Sequence, residues 1–370
     1  MMERRQVVRL WRRGGARVLA TVIRVEGSSY RQPGARLLLG AAGEYAGTIS
    51  GGCLETEVIR RATWKVREGA VVERYSTMFD DTDEVPFGLG CGGVVDLLLE
   101  PVETPECRAL LEAMERSFSR EQSIVITWLP GEGKLLSRVI LGTDGVVKFS
   151  SEGLAEKKLN CARGLRPGES YEGRFVEELR GPQRLFVLGA GDDARPLVAM
   201  ASMMGWHVTV ADGRQQLARP ERFPGAERVV TTSAEDVREL NICEDDAVVV
   251  MTHSYEQDRM LLAALLPLAP RYLGLLGARH RSSLLVSEAA AMAGLTVEQC
   301  CERIWAPIGL DLGGEGPEAI ALAVMAEAQA MCMGKMGSSR RLTPDDVARY
   351  VNEGGASRYL RTQCAVDVAS

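Results

Sequence analysis

A glycine turn between a short apolar strand and a helix constrains the fold of this chain more than any other feature. Leu185-Phe186-Val187-Leu188 is followed at once by Gly189-x-Gly191-x-x-Ala194, and the next apolar run ends at Asp212. A glycine turn of this spacing, with an acidic residue closing the second strand, is the fingerprint of dinucleotide-binding parallel sheets. It predicts a doubly wound domain beginning near residue 181.

Strand and helix patterns continue to alternate after this turn. Further apolar strands are predicted at 247–251 and 272–276, and a long helix runs from Pro317 to about Met333, where Gly334 ends it. Alternation of this kind is typical of a parallel sheet covered on both faces. We therefore predict a Rossmann-like domain over 181–334, followed by a polar tail with one short helix over 335–370.

The first 180 residues have a different layout. Strand patterns cluster at 18–25, 36–39, 71–75 and 94–99 and again at 124–128, 135–141 and 146–149, with occasional helices such as those at 53–68 and 106–120. Such clustering indicates an α+β domain. The fold class is thus α/β, with an N-terminal α+β domain followed by the Rossmann-like domain.

Composition narrows the class of protein. With 46% hydrophobic and 25% charged residues the chain is globular, and its net charge of -6 argues against a general nucleic-acid binder. The arginines among the first 17 residues are expected to form one solvated helix face. No secretory signal and no apolar stretch long enough to span a bilayer are visible, so we expect a cytoplasmic protein with no membrane contact. Nine cysteines without framework spacing are expected to be reduced.

Two cysteines have glycines as sequence neighbours, a setting that does not suit a cysteine packed in the core. They occur in Ser50-Gly51-Gly52-Cys53 and in Gly90-Cys91-Gly92. Glycine lets the main chain approach a ligand, and the helical pattern after Cys53 predicts that this cysteine begins a helix, where anions and thiolates are favoured. The alternative is a pair of small residues in tight turns, but finding the pattern twice favours a ligand site with open backbone N–H groups.

The loop that joins the first two strands adds groups suited to a phosphate. It offers the hydroxyls of Ser28 and Ser29 and the guanidinium groups of Arg31 and Arg36. An ordinary long hairpin is the alternative. Together with the glycine-flanked cysteines, this loop supplies what a phosphorylated, sulfur-bearing cofactor needs.

The predicted parallel sheet offers a second candidate site at the carboxyl ends of its strands. Gly189, Gly191, Ala194 and Asp212 are the contacts expected for NAD(P), but Asp192 and Asp193 put two carboxylates where its pyrophosphate would lie. His253 follows the central strand and Arg279 follows the next one. Both suit a bound ligand, although a histidine bonded to backbone and a surface cation would leave the same pattern.

Several motifs together resemble the xanthine dehydrogenase accessory factor family (XdhC/CoxI family) over nearly the whole chain. These motifs are Val25-Glu26-Gly27-Ser28-Ser29, Pro33-Gly34-Ala35, Ser50-Gly51-Gly52-Cys53, Gly88-Leu89-Gly90-Cys91-Gly92-Gly93, Gly189-Ala190-Gly191, Val208-Thr209-Val210, Glu221-Arg222-Phe223-Pro224, 272–277 and 306–311. The resemblance implies a dimeric cytosolic chaperone without turnover of its own. Such a protein binds the molybdenum cofactor (molybdopterin), shelters its sulfurated form and delivers it to a molybdenum hydroxylase such as xanthine dehydrogenase.

The chain departs from the family pattern at one edge of the predicted sheet. Asp192, Tyr255 and Trp305 stand where members commonly carry histidine. We therefore expect the cofactor site mainly in the first domain, with Cys53, and with Cys91 beside it, near the molybdenum or its sulfur ligands.

Two other functions stay open from the sequence. One is an NAD(P)-dependent oxidoreductase with His253 as its acid–base group. The other is a persulfide carrier through Cys53, with a cysteine desulfurase as partner.

Overall fold

A computed structural model of the chain describes residues 1–27, 29–76, 93–131, 133–167, 173–335, 341, 343–345, 347 and 349. Contacts between residues divide the chain into two compact units, Met2–Gly181 and Pro182–Arg340. Most of the predicted tail lies outside the described residues, although Pro344, Asp345, Val347 and Arg349 of its short helix are described and helical.

The first unit mixes helices with short strands. In chain order its elements are α1 (Met2–Arg13), β1 (Ala16–Glu26), β2 (Arg36–Gly40), β3 (Tyr45–Gly47), α2 (Cys53–Lys65), β4 (Val71–Ser76), β5 (Val94–Pro101), α3 (Pro105–Arg116), β6 (Ser123–Trp128), β7 (Ser137–Gly142), β8 (Val147–Ser150), α4 (Glu156–Ala162) and β9 (Arg174–Leu179).

These strands form two separate antiparallel sheets. The first sheet has the order β3-β2-β1-β5-β4 and the second the order β8-β7-β6-β9. The predicted α+β layout is confirmed. Two predicted helices, at 53–68 and 106–120, close with a short 3₁₀ turn, so their regular α-helical parts end earlier, at Lys65 and Arg116.

Both faces of the first sheet are buried, as the two-residue alternation of strands allows. Leu19 of β1 faces a core shared with α1, α3 and the second sheet. Its neighbours Val18 and Ala20 face the opposite core, which α2 covers. The helix that begins at Cys53 is therefore held by a continuous apolar face.

Two ion pairs, one buried and the other largely buried, cross from the first sheet to the second. Glu100 of β5 lies 2.9 Å from Arg138 of β7, and each side chain is only 1% exposed. Arg36 of β2 likewise pairs with Glu177 of β9. Burial would lower the pKa of Arg138, but the adjacent Glu100 carboxylate outweighs burial and raises it. Both pairs fix one sheet against the other.

The second unit contains the predicted strand–helix alternation. Its elements are β10 (Arg184–Leu188), α5 (Ala194–Met203), β11 (His207–Asp212), β12 (Arg228–Thr231), β13 (Ala247–Val250), α6 (Tyr255–Leu265), β14 (Tyr272–Leu275), α7 (Arg279–Ala293), α8 (Val297–Cys301) and α9 (Pro317–Cys332).

The five strands form one parallel sheet of order β12-β11-β10-β13-β14. Helices α5 and α9 pack on one face and α6 and α7 on the other. The predicted Rossmann-like doubly wound domain is confirmed. Its strand order reverses between β10 and β13, and ligands of such sheets bind at this switch point.

Glu100→Gln should destabilise the chain by about 3–5 kcal/mol, because it leaves the charge of Arg138 buried without its partner. Urea unfolding followed by circular dichroism measures the change. Glu103→Gln, which removes an exposed ion pair with Arg17, is the matched control and should cost about 0–1 kcal/mol. Equal losses in the two variants would contradict a stabilising role for the buried pair.

Candidate functional site

The predicted helix start at Cys53 is present. Gly52 caps α2 with a φ of 115°, in the left-handed region that favours glycine, and Cys53 is the first helical residue. The side chain of Cys53 lies outside what the structure describes. Glycine at this position lets the chain turn into the helix while the main chain stays open on its outer side.

The carboxylate of Glu55 organises the turn in front of the helix. It accepts hydrogen bonds from the backbone N–H groups of Ile49 (3.0 Å), Ser50 (2.9 Å) and Gly52 (3.1 Å), and from the hydroxyls of Thr48 and Ser50. The sequence predicted open N–H groups here; those of Ile49, Ser50 and Gly52 already have an acceptor. The signal was available, because Glu55 stands at the third helical position, where a capping carboxylate belongs.

These bonds govern the ionisation of Glu55. Burial would raise the pKa of this carboxyl, but hydrogen bonds from Ser50 and Thr48 and from the Ser50 backbone outweigh burial and lower it to about 2. The turn is thus folded around a charge that persists throughout the neutral range.

A groove of about 740 Å³ runs along this turn. Gly51, Gly52 and Glu55 line it. Two tyrosines also line it, and both present most of their surface to solvent: Tyr30 is 74% exposed and Tyr45 is 58% exposed. Exposed rings beside residues without side chains suit a flat, partly polar ligand.

The other predicted residues of this domain fall into two groups. Gly90, Cys91, Gly92 and Ser28 lie outside the described residues, so a common cleft for the two cysteines stays a prediction. Ser29 accepts a hydrogen bond from the backbone N–H of Arg31 at 3.3 Å.

Both predicted phosphate-binding arginines already bond carboxylates. Arg31 pairs with Glu3 of α1, and Arg36 pairs with Glu177 of β9. Arg36 is 6% exposed. Its strand position was predicted, but the partner 141 residues away was not visible in the sequence.

At the edge of the parallel sheet, the residues of the dinucleotide fingerprint contact other residues of this chain. Gly189 has a φ of 128°, and a side chain there would collide with the carbonyl of Met251. Asp212 accepts a hydrogen bond from the N–H of Ala190 at 2.7 Å and binds the guanidinium of Arg214 at 2.8 Å. Burial acts to raise the pKa of Asp212, yet Arg214 and the two backbone N–H groups prevail and lower it. The acid expected to hold a ribose is therefore occupied.

His253 lies at the switch point of the sheet with a hydrogen-bonded partner. Its Nε2 is 2.7 Å from Oδ2 of Asp193, and its φ of 64° is uncommon for a residue other than glycine. The pair borders a cavity of about 340 Å³ whose other wall includes Ile308 and Arg281. Arg281, rather than the predicted Arg279, supplies the cation that lines this cavity, and it is paired with buried Asp258 at 2.6 Å. Ala194 is a buried first residue of α5.

Each residue at a position that is commonly histidine in the family has a local partner. Asp192 bonds Arg222 at 2.9 Å, Tyr255 donates to Glu288 at 2.9 Å, and Trp305 stacks against Tyr272. Among the described residues, no three histidine, cysteine or acidic side chains come together as a metal site. None of the helices in the described ranges is long and apolar enough to cross a membrane.

Comparison with known proteins gives the family. A family model described as "XdhC and CoxI family" matches residues 10–76, and one described as "XdhC Rossmann domain" matches residues 185–328. The two matches together take in more than half of the chain. The chain belongs to the XdhC and CoxI family. The resemblance seen in the sequence is confirmed.

Two relatives match most of the length of this XdhC and CoxI family member. It is 28% identical over 313 residues to a probable subunit of xanthine dehydrogenase from Bacillus subtilis, covering 84% of this chain and 91% of the relative. It is 25% identical over 315 residues to "Molybdenum cofactor insertion chaperone PaoD" of Escherichia coli, covering 85% and 83%.

A crystal structure described as that of a xanthine dehydrogenase from Bacillus halodurans superposes with a TM-score of 0.76 at 27% identity. The match covers 94% of this chain and 99% of that one. The XdhC and CoxI architecture therefore extends over both units of the chain.

Glu55→Gln should lower the free energy of unfolding at pH 7 by about 1–3 kcal/mol, because one buried and four partly buried donors lose a charged acceptor. The folded-state pKa lies below the unfolded value, so the stabilisation is complete above about pH 4.5 and disappears as the pH falls toward 2. The difference between wild type and variant should shrink over that window in urea titrations. Glu68→Gln, at an exposed residue just beyond α2, is the control and should show no such narrowing; a constant difference for Glu55→Gln would exclude its carboxylate as the cause.

Proposed function

We propose that this protein binds the molybdenum cofactor as cargo and delivers its sulfurated form to a molybdenum hydroxylase such as xanthine dehydrogenase. The observation that carries the proposal is the groove at Gly51 and Gly52, just before the helix that begins at Cys53, with its two exposed tyrosines. Two relatives support this role by their names, one a probable part of xanthine dehydrogenase and the other a cofactor insertion chaperone.

The residues of the groove fit the chemistry of this cargo. A pterin is a flat heterocycle that can stack on the rings of Tyr30 and Tyr45, while Gly51, which has no side chain, allows close approach of the main chain. Cys53 begins α2, and the start of a helix favours a negatively charged sulfur. We assign the thiol of Cys53 to the molybdenum or its sulfur ligands, with Cys91 as a second candidate.

The phosphate contacts expected from Arg31 and Arg36 are not part of the proposal, because neither arginine lines the groove. The side of the cargo that meets the groove is therefore the ring and its sulfurs. The proposal needs only residues that leave the groove open.

The remaining assignments rest on the family resemblance. We propose a cytoplasmic homodimer without turnover of its own, which receives sulfur with the help of a cysteine desulfurase and hands the loaded cofactor to its client. In this proposal, the bound protein protects the sulfur ligand of the molybdenum until the cofactor reaches its client.

Cys53→Ala and Tyr30→Ala should each retain roughly tenfold less molybdenum than wild type at limiting protein concentration. Purified full-length protein is mixed with cofactor released from a molybdenum hydroxylase and desalted, and the bound metal is measured by inductively coupled plasma mass spectrometry. Cys301→Ala, at an exposed cysteine of the second unit, is the control and should retain as much as wild type. Undiminished retention by Cys53→Ala would remove that thiol from the site.

The rival function, nicotinamide-dependent oxidoreduction, is opposed by the geometry of the sheet edge. Asp193 lies over Gly191, so its carboxylate occupies the approach to the turn, and Asp212 is tied to Arg214. Calorimetric titration of the full chain with NADH should give no saturable heat. Saturable binding that Asp212→Asn abolishes would instead support the oxidoreductase.

A further inference from the structure

A second cavity in the unit Met2–Gly181 is lined by four arginines. It measures about 840 Å³ and shares no residue with the groove at Cys53. Its arginines come from α1, β1, β2 and β9: Arg4, Arg24, Arg36 and Arg174. The sequence led us to expect the N-terminal arginines on one solvated face, but Arg4 turns inward to this cavity.

Carboxylates of the cavity wall do not balance these arginines. Glu177 pairs with Arg36, Glu178 pairs with Arg180 at 2.8 Å, and Asp96 lies 3.8 Å from Arg74. Arg24 has its own partner outside the wall, Glu26, at 2.6 Å. Within the described ranges, no carboxylate pairs with either of the two remaining arginines of the wall, Arg4 and Arg174.

Arg4 illustrates the imbalance. Its Nη1 donates to the Ser117 hydroxyl at 3.1 Å and to the Arg180 carbonyl at 2.7 Å, both of which are uncharged acceptors. Burial, together with the neighbouring charge of Arg36, lowers the pKa of Arg4 to about 10. Two guanidinium groups thus lie close together with the single carboxylate of Glu177 beside them, which leaves a net positive charge.

Two other arginines of the cavity also have N–H donors that lack a strong acceptor. Among the described residues, Nε of buried Arg36 has no hydrogen-bond partner. Arg174 contacts the sulfur of Cys161, a weak acceptor, at 3.9 Å from its Nη1. Guanidinium groups converging on one cavity with donors to spare are the usual means of holding a phosphate.

We propose that this cavity binds the phosphate group of an organic phosphomonoester. A phosphomonoester carries close to two negative charges at neutral pH, which matches the two arginines that pair with no carboxylate in the described ranges. Val25 and Phe175 line the same cavity and offer an apolar wall to the organic part. The site is independent of the function proposed for the groove at Cys53.

Calorimetry on the full-length protein at low salt tests the proposal with three probes: inorganic phosphate, phenyl phosphate and phenol. Both phosphates should bind at one site per chain, phenyl phosphate more tightly because its ring meets the apolar wall, and phenol should not bind. Arg4→Met and Arg174→Met should each weaken phosphate binding about tenfold. Arg17→Met, at an exposed arginine paired with Glu103, should leave it unchanged.

Thermal unfolding separates a ligand-binding role from a structural one. Without phosphate, Arg4→Met should melt no lower than wild type, since it removes a charge that no described carboxylate balances, while the stabilisation by added phosphate should disappear. A lower melting temperature with undiminished phosphate stabilisation would overturn the proposal. The proposal would also be overturned if the wild type bound neither phosphate compound. It would be overturned as well if Arg174→Met and Arg17→Met bound phosphate with equal affinity. These measurements do not involve molybdenum, so failure of this site leaves the groove at Cys53 untouched.

Discussion

Two carboxylate–guanidinium pairs fix the positions of the two antiparallel sheets of the first domain. Each pair joins a residue of one sheet to a residue of the other. The pair of Glu100 with Arg138 lies in the shared core, and the pair of Arg36 with Glu177 lies closer to the arginine-lined cavity. Ions removed from water tolerate no loss of partner, so the two sheets have little freedom to slide. The helix that begins at Cys53 packs on the first of these sheets, and the groove at its start takes its shape from that fixed support.

The helices and strands of the second domain could be predicted from the sequence, because residues close together in the chain specify each of them. Apolar runs of four or five residues, glycine after the first strand and proline before the last helix each mark an element boundary without reference to distant residues. In a parallel sheet buried on both faces, that local information determines the layers as well. Only short elements such as β12, with half its residues exposed, lacked a signal.

The structure of the first domain could be predicted only in part from the sequence. Seven of the nine strands in its described ranges were predicted, whereas β3 and β9 were not. Pairing in antiparallel sheets joins residues far apart in the chain, and no local pattern divides these strands into two sheets. The same limit explains Arg36: a cation in a turn-rich loop suggests a ligand, and its buried acid on β9 is visible only after folding. Arg4 was misjudged for a related reason, since its acceptors Ser117 and Arg180 are remote in sequence. Glu55, by contrast, could have been recognised from its spacing alone.

The turn after β10 carries a wider lesson about inferring coenzymes from motifs. Here Asp212, at the end of β11, accepts a hydrogen bond from the glycine turn. Arg214, two residues later, forms an ion pair with the same carboxylate. The hydrogen-bonding capacity of this acid is thus used within the fold, so a glycine-turn fingerprint followed by such an arginine does not by itself indicate a bound coenzyme.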